Sequence, residues 1–162
     1  MLFRSNVEFC PSAGTVFKVA PSGDLTTLYS FCAQNGCSDG QNPYAALIQA
    51  TNGVFYGTTT EGGFTKCEYP LGCGTIYSVA VGLGPFVSFV HNPASVGQTF
   101  GVLGQGLTGT SNVSLNGTPA TFTVKANTLL EVTVPNGATT GYVTVTTPSG
   151  TLTSNVPFHV IK

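Results

Sequence analysis

Apolar positions along this chain come in short runs, interleaved with Thr, Ser or Asn and broken every few residues by Gly, Pro or Asn. That spacing is the period of a strand, not of a helix. Gly and Pro recur too often for long helices. Only residues 43–50 (PYAALIQA) read equally as a short helix or a strand. Alternation is cleanest over 130–134 (LEVTV) and 142–147 (YVTVTT), which places one face inward and one outward. The pattern predicts an all-β protein.

The runs fall into two groups. In the second half, candidate strands lie at 86–91, 99–104, 112–115, 118–125, 129–134, 141–146 and 156–161. Turns separate them at Asn116-Gly117, Pro135-Asn136-Gly137 and Pro148-Ser149-Gly150. Seven short strands at this spacing predict a two-sheet immunoglobulin-like sandwich. The first half instead carries an internal repeat: GTVFKVA at 14–20 returns as GTIYSVA at 74–80. Strand alternation would put Val16 and Ile76 on one face and Phe17 and Tyr77 on the other. Between the copies lie strand-like runs at 24–31, 47–50 and 54–60, the last ending at Glu61-Gly62-Gly63. Four short strands per unit is the shape of a propeller blade. A lone blade cannot bury both faces of its sheet, and repeat units normally need about three copies. The first half is therefore expected to pack on the sandwich or on another chain, or to be the end of a longer array. The boundary is expected near Gly82 to Pro85, where the cysteines stop, giving a repeat unit over 1–84 and a sandwich over 85–162.

The segments GTVFKVAPSGDLTTLYSF, SDGQNPYAALIQATNGVFYGTT and the EGG before the second GT[VI][FY] stand in the order of the GloVer tandem repeat, which they resemble. That repeat belongs to bacterial choice-of-anchor surface proteins. The resemblance covers about residues 14–80 and implies an exported, propeller-like array, of which this chain holds one full unit and the opening strand of a second. The second half resembles the IPT/TIG immunoglobulin-like domains through VGQTFGVLGQGL, VSLNGTPATFTV, VTVPNGATTGYVTVTTPSG and the closing NVPFHV. Bacterial IPT/TIG domains are spacers, adhesin segments and accessory modules beside carbohydrate-active domains, so that resemblance implies support rather than catalysis.

Composition narrows the function. Only 7 % of residues are charged, and Arg4, Lys18, Lys66, Lys125 and Lys162 are scattered. Nucleic-acid binding needs clustered Lys and Arg to displace counterions, so it is excluded as a partner class. No apolar run reaches the roughly 18 residues of a membrane span, which argues against membrane insertion. The N-terminal MLFRSNVEFCPS lacks the apolar middle of a signal peptide, so an export signal is not expected within this chain.

The five cysteines all lie in the first half. Cys32 and Cys37 bracket one turn-rich loop, and Cys67 and Cys73 bracket another. Two local disulfides are the plain reading. A zinc site is the rival, but it favours shorter gaps and histidine, and His91 and His159 lie in the other half. Cys10 is left over. No metal and no cofactor are expected.

No histidine sits in a nucleophile-elbow or other catalytic context. Glycoside hydrolysis would need paired carboxylates. Asp39 and Glu61 are the pair that one rim of a blade could bring together, though each sits beside Gly and reads first as turn chemistry. Asp24, after a Pro-Ser-Gly turn, reads as a turn stabiliser. Tyr29, Tyr44, Phe55, Tyr56, Tyr69 and Tyr77 crowd the first half, and Tyr44 with Tyr56 is the candidate platform for a sugar ring. The leading reading is a non-enzymatic extracellular or cell-surface structural or adhesion module, able to self-assemble, whose partners are other protein domains or copies of itself. A carbohydrate-binding accessory module that takes polysaccharide is the alternative, followed by a small glycan-acting hydrolase.

Overall fold

The structure is a computed structural model that describes residues 13–64, 66 and 71–161. Among these residues there are strands, turns and one short 3-10 turn at Asn35–Cys37, and the protein is all-β. They form two compact units: one that runs to Ala50 and resumes over Val54–Val81, and one made of Thr51–Gly53 with the chain from Gly82 onward.

The first unit opens with a hairpin of β1 (Thr15–Val19) and β2 (Leu25–Ser30). Its turn is closed by Gly23, at φ +92°, and by the Ser22 hydroxyl, which donates to Asp24 Oδ2 at 2.6 Å. Asp24 thus has the turn role expected of it. Pairing jumps from Val16–Tyr29 to Phe17–Thr27, a bulge that leaves Leu28 without an opposite residue. A bulge breaks strict alternation, so the consecutive residues Val16 and Phe17 are both buried. The chain then forms β3 (Gln41–Pro43), β4 (Ile48–Gln49), β5 (Phe55–Gly63), β6 (Gly72–Gly74) and β7 (Ile76–Val79). The ambiguous segment at 43–50 takes the strand alternative, with Ile48–Gln49 paired to β5.

Strand β5 is the hub. It pairs with β3, β4 and β7 antiparallel and with β6 parallel. It runs through Glu61-Gly62-Gly63, where the sequence pattern marks a loop. Glycine makes that possible: a side chain on Gly72 would collide with the Gly62 carbonyl, and one on Gly62 would meet the Cys37 carbonyl at 2.5 Å. The strands therefore group as a hairpin and a five-stranded sheet instead of a single four-stranded blade.

In the second unit the strands are β8 (Ser88–Phe89), β9 (Ala94–Ser95), β10 (Thr99–Leu103), β11 (Asn112–Leu115), β12 (Thr118–Pro119), β13 (Phe122–Ala126), β14 (Leu129–Thr133), β15 (Val143–Thr147), β16 (Gly150–Thr153) and β17 (Val160–Ile161). One sheet has the order β13-β14-β10-β8 and the other β12-β11-β15-β16, while β9 and β17 pair in parallel. Strand β12 belongs to one sheet and β13 to the other, so the single run expected at 118–125 changes sheets between Pro119 and Phe122. Asn116 and Gly117 both have positive φ, 45° and 85°, as a two-residue hairpin turn between β11 and β12 requires. The β15–β16 hairpin, with Thr147 opposite Gly150, adds a strand where the sequence showed only a turn.

Alternation fills the sandwich from both sheets. Phe100, Val102, Leu130 and Val132 point inward from one, and Val113, Leu115, Val143, Val145 and Leu152 from the other. Phe158 closes the core, stacked on Phe100 with ring centroids 4.0 Å apart and edge-on to Phe89. The outer edge strand β13 carries Lys125, ion-paired to Glu131 at 2.7 Å, a charge that discourages edge-to-edge pairing.

Candidate functional site

The first unit carries the side-chain chemistry. Cys32 and Cys37 are disulfide-bonded, and the closed loop is held by hydrogen bonds from the Cys37 amide to the Gln34 carbonyl and from the Cys32 amide to the Gly40 carbonyl. Cys73 is also disulfide-bonded. The expected partner, Cys67, lies outside the described residues, as do Cys10 and Tyr69.

The closed loop aims Asp39 back at β2. Its carboxylate accepts hydrogen bonds from the Tyr29 hydroxyl at 2.7 Å and from the amides of Ala33 and Gln34 at 3.0 and 3.2 Å. Partial desolvation works against the charge, but these donors outweigh it and hold the Asp39 carboxyl below the ordinary aspartate value. The same bond, with some desolvation, raises the Tyr29 phenol. A second polar chain ties the loop to β5. The Thr59 hydroxyl donates to the Glu61 carbonyl and accepts from the Thr75 amide, and the Thr75 hydroxyl reaches the Asp39 carbonyl at 3.4 Å.

Beside Asp39 lies a groove of about 380 Å³. Leu28, Tyr29, Phe31 and Asp39 line one side and Tyr77, Ser78, Val79 and Ala80 the other. Tyr29, Phe31 and Tyr77 pack edge to face in series, at 5.2 and 4.7 Å between centroids. The Tyr77 hydroxyl points away from solvent. It is buried, makes no hydrogen bond and lies over Gly57, where an added Cβ would meet it at 2.5 Å. Desolvation raises its phenol.

The sequence-predicted residues take separate places. Asp39 borders the groove, whereas Glu61 accepts from Gln41 Nε2 at 2.8 Å across the β3–β5 pair. The two carboxylates are thus engaged by different donors. Tyr44 stands 88 % exposed, and Tyr56 lies on the outer face of β5. That face is defined by register. Ile48 opposes Tyr56, Tyr56 opposes Ser78, and Thr58 opposes Ile76, so all five side chains share one side of the sheet. All are exposed, Ile48 at 73 % and Ile76 at 81 %. None is charged. The opposite side, with Phe55, Gly57, Thr59, Tyr77 and Val79, faces inward. Tyr29, Phe31 and Tyr77 are the residues whose grouping the sequence did not reveal. Among the described residues, no helix is long and apolar enough to cross a membrane.

No family model matches this sequence. No curated protein matches it either. Among solved structures the chain is similar to "SGBP-B from a complex xyloglucan utilization locus in Bacteroides uniformis", at 18 % identity, a TM-score of 0.37 and coverage of 90 % of this chain. The chain spans 35 % of that protein's length. This likeness is slight and bears on neither the fold nor the function described here.

Proposed function

We propose that this chain is a non-enzymatic extracellular or cell-surface module for structure and adhesion. The observation that carries the reading is the uncharged apolar face of Ile48, Tyr56 and Ile76 on the first unit. Exposed apolar surface of this kind marks contact sites. A sheet face without charge has nothing to repel another copy, so copies of this chain or other protein domains are the partners it fits. The sandwich, with its closed core, is the support, in keeping with the IPT/TIG resemblance, and the first unit is the GloVer-like docking part. The Cys32–Cys37 disulfide supports an oxidising location outside the cytoplasm. Sedimentation of the purified chain across a range of concentrations tests the assembly reading. The wild type should self-associate, and Ile48→Lys with Ile76→Lys should keep it monomeric. A wild type that stays monomeric at every concentration and binds no surface protein would sink the proposal.

A second reading, a carbohydrate-binding accessory module, is favoured by one observation: the aromatic groove bordered by Asp39. Retention on insoluble polysaccharides tests it, and no retention on any of them counts against it.

A further inference from the structure

The groove follows the edge of a strand. Residues 77, 78, 79 and 80 line it in succession, yet successive strand residues point to opposite faces. Four in a row can line one groove only along the strand's edge, where the backbone itself is presented. Strand β7 has β5 as its one hydrogen-bonded neighbour among the described strands, and β2 has β1. The groove therefore follows strand edges, and among the described residues the outer edge of β7 offers it N–H donors and C=O acceptors that no strand pairs.

From this we infer that the groove is a binding site for a neutral, hydroxyl-rich ring, a sugar unit of a glycan chain, with Tyr29 and Asp39 as its recognition residues. The inference deepens the carbohydrate-binding reading and rests on it. Four observations select the ligand class. The volume, about 380 Å³, falls in the range of small-ligand clefts and suits one or two rings. The walls of Tyr29, Phe31 and Tyr77 give an apolar surface for the C–H face of a pyranose. Among the described residues no Lys, Arg or His lines the groove, and an ionised carboxylate borders it, so anions are disfavoured. A cation is served less well than a hydroxyl. Three donors already answer the Asp39 charge, leaving a carboxylate that acts as one more acceptor. The strand edge presents donors as well as acceptors, and an ammonium group can use only the acceptors. A hydroxyl uses both. An extended peptide would also use both, but β7 is four residues long and offers few backbone pairings for strand addition.

The test is titration of isotope-labelled full chain by NMR with xylohexaose, cellohexaose and mannohexaose, beside tetramethylammonium and the peptide DLTTLYSF. At least one saccharide should shift the amides of Tyr29, Asp39, Ser78 and Val79 in a saturable manner. Tyr29→Phe, which keeps the ring and removes only the hydroxyl, should weaken that saccharide about 3- to 10-fold. Asp39→Asn should weaken it by at least as much, with its amide spectrum confirming that the unit is folded. Ile76→Ser, on the β7 face shared with Tyr56, should leave saccharide affinity unchanged while reducing self-association, which separates this site from the assembly surface. Three outcomes would overturn the inference: no groove shifts with any saccharide, groove shifts with tetramethylammonium or the peptide alone, or saccharide binding untouched by both Tyr29→Phe and Asp39→Asn. If the chain is retained on polysaccharide while the groove residues stay silent, the wider carbohydrate reading stands and this site does not.

Discussion

Strands β1 and β7 are two copies of one sequence motif with opposite fates. In GTVFKVA, Val16 is completely buried; in GTIYSVA, the matching Ile76 is 81 % exposed. The second aromatic-bearing position behaves more evenly, with Phe17 buried and Tyr77 half-buried. The difference lies in the neighbours. Strand β2 carries a bulge at Leu28 opposite Val16 and Phe17, and both of those side chains are buried, whereas β7 pairs without a bulge along β5 and keeps strict alternation. Identical local propensity thus yields a core residue in one place and a surface residue in the other. Burial in this unit is decided by pairing register and not by the identity of the residue.

The largest expected effect separates the twins directly. Val16→Asp would bury a carboxylate without a partner and should cost the first unit more than about 3 kcal/mol, enough to unfold a marginal domain. Ile76→Asp should change stability by no more than about 0.5 kcal/mol. Urea unfolding of both variants, followed by the tyrosines of the first unit, measures the contrast, and equal losses in the two would show that the register is wrong. Next in size is the closed loop. Cys32→Ser with Cys37→Ser opens a short ring, for which chain-entropy reasoning gives about 2 kcal/mol. The loss should appear in the first unit alone and leave the sandwich transition where it was.

Acid should then sharpen the comparison. The Asp39 carboxyl is held below its ordinary value in the folded unit. Its stabilising contribution is therefore fully present above the unfolded aspartate pKa of about 3.9 and is lost as pH falls through the lower folded value. Thermal melts of the first unit should fall off below about pH 4, and Asp39→Asn should melt lower at neutral pH with a flatter acid limb. The smallest effect is at Tyr77. Removing its unpartnered hydroxyl with Tyr77→Phe should be neutral or stabilising by up to about 1 kcal/mol, since no hydrogen bond is lost. A clear loss of stability would mean that the hydroxyl has a partner.

Much of the sandwich was legible in the sequence because its strands are half-buried, and half-burial writes itself as alternation. Strands β10, β11, β14 and β15 lie within about two residues of their expected places, since LEVTV and YVTVTT sort cleanly into two faces. Strand β9 escaped notice because two residues are too short to show a period, and of the run expected at 156–161 only Val160–Ile161 pairs, as β17. The break between β12 and β13 was hidden because the run stays apolar and Thr-rich across Ala120 and Thr121 while the partner sheet changes. In the first unit the legible parts were β1, β2, β4, β5 and β7 and the Cys32–Cys37 bond, whereas the three-residue β3 left no pattern. The glycine ladder of β5 and β6 was not, because glycine leaves no side-chain pattern. The groove was least visible of all. Tyr29 and Tyr77 lie far apart in sequence and come together only through ring packing on Phe31.

The ends of the sandwich are joined in a particular sense. Strands β9 and β17 run parallel, Val87 bridges Ser154 in parallel, and the Asn92 side chain both donates to the Pro157 carbonyl and accepts from the His159 amide. Opposite pulls on the two ends of parallel neighbours slide them along each other, so their hydrogen bonds are loaded together and must fail together. Antiparallel ends would instead peel apart one bond at a time. Tension applied across the two ends of the sandwich would therefore load this small clasp in shear.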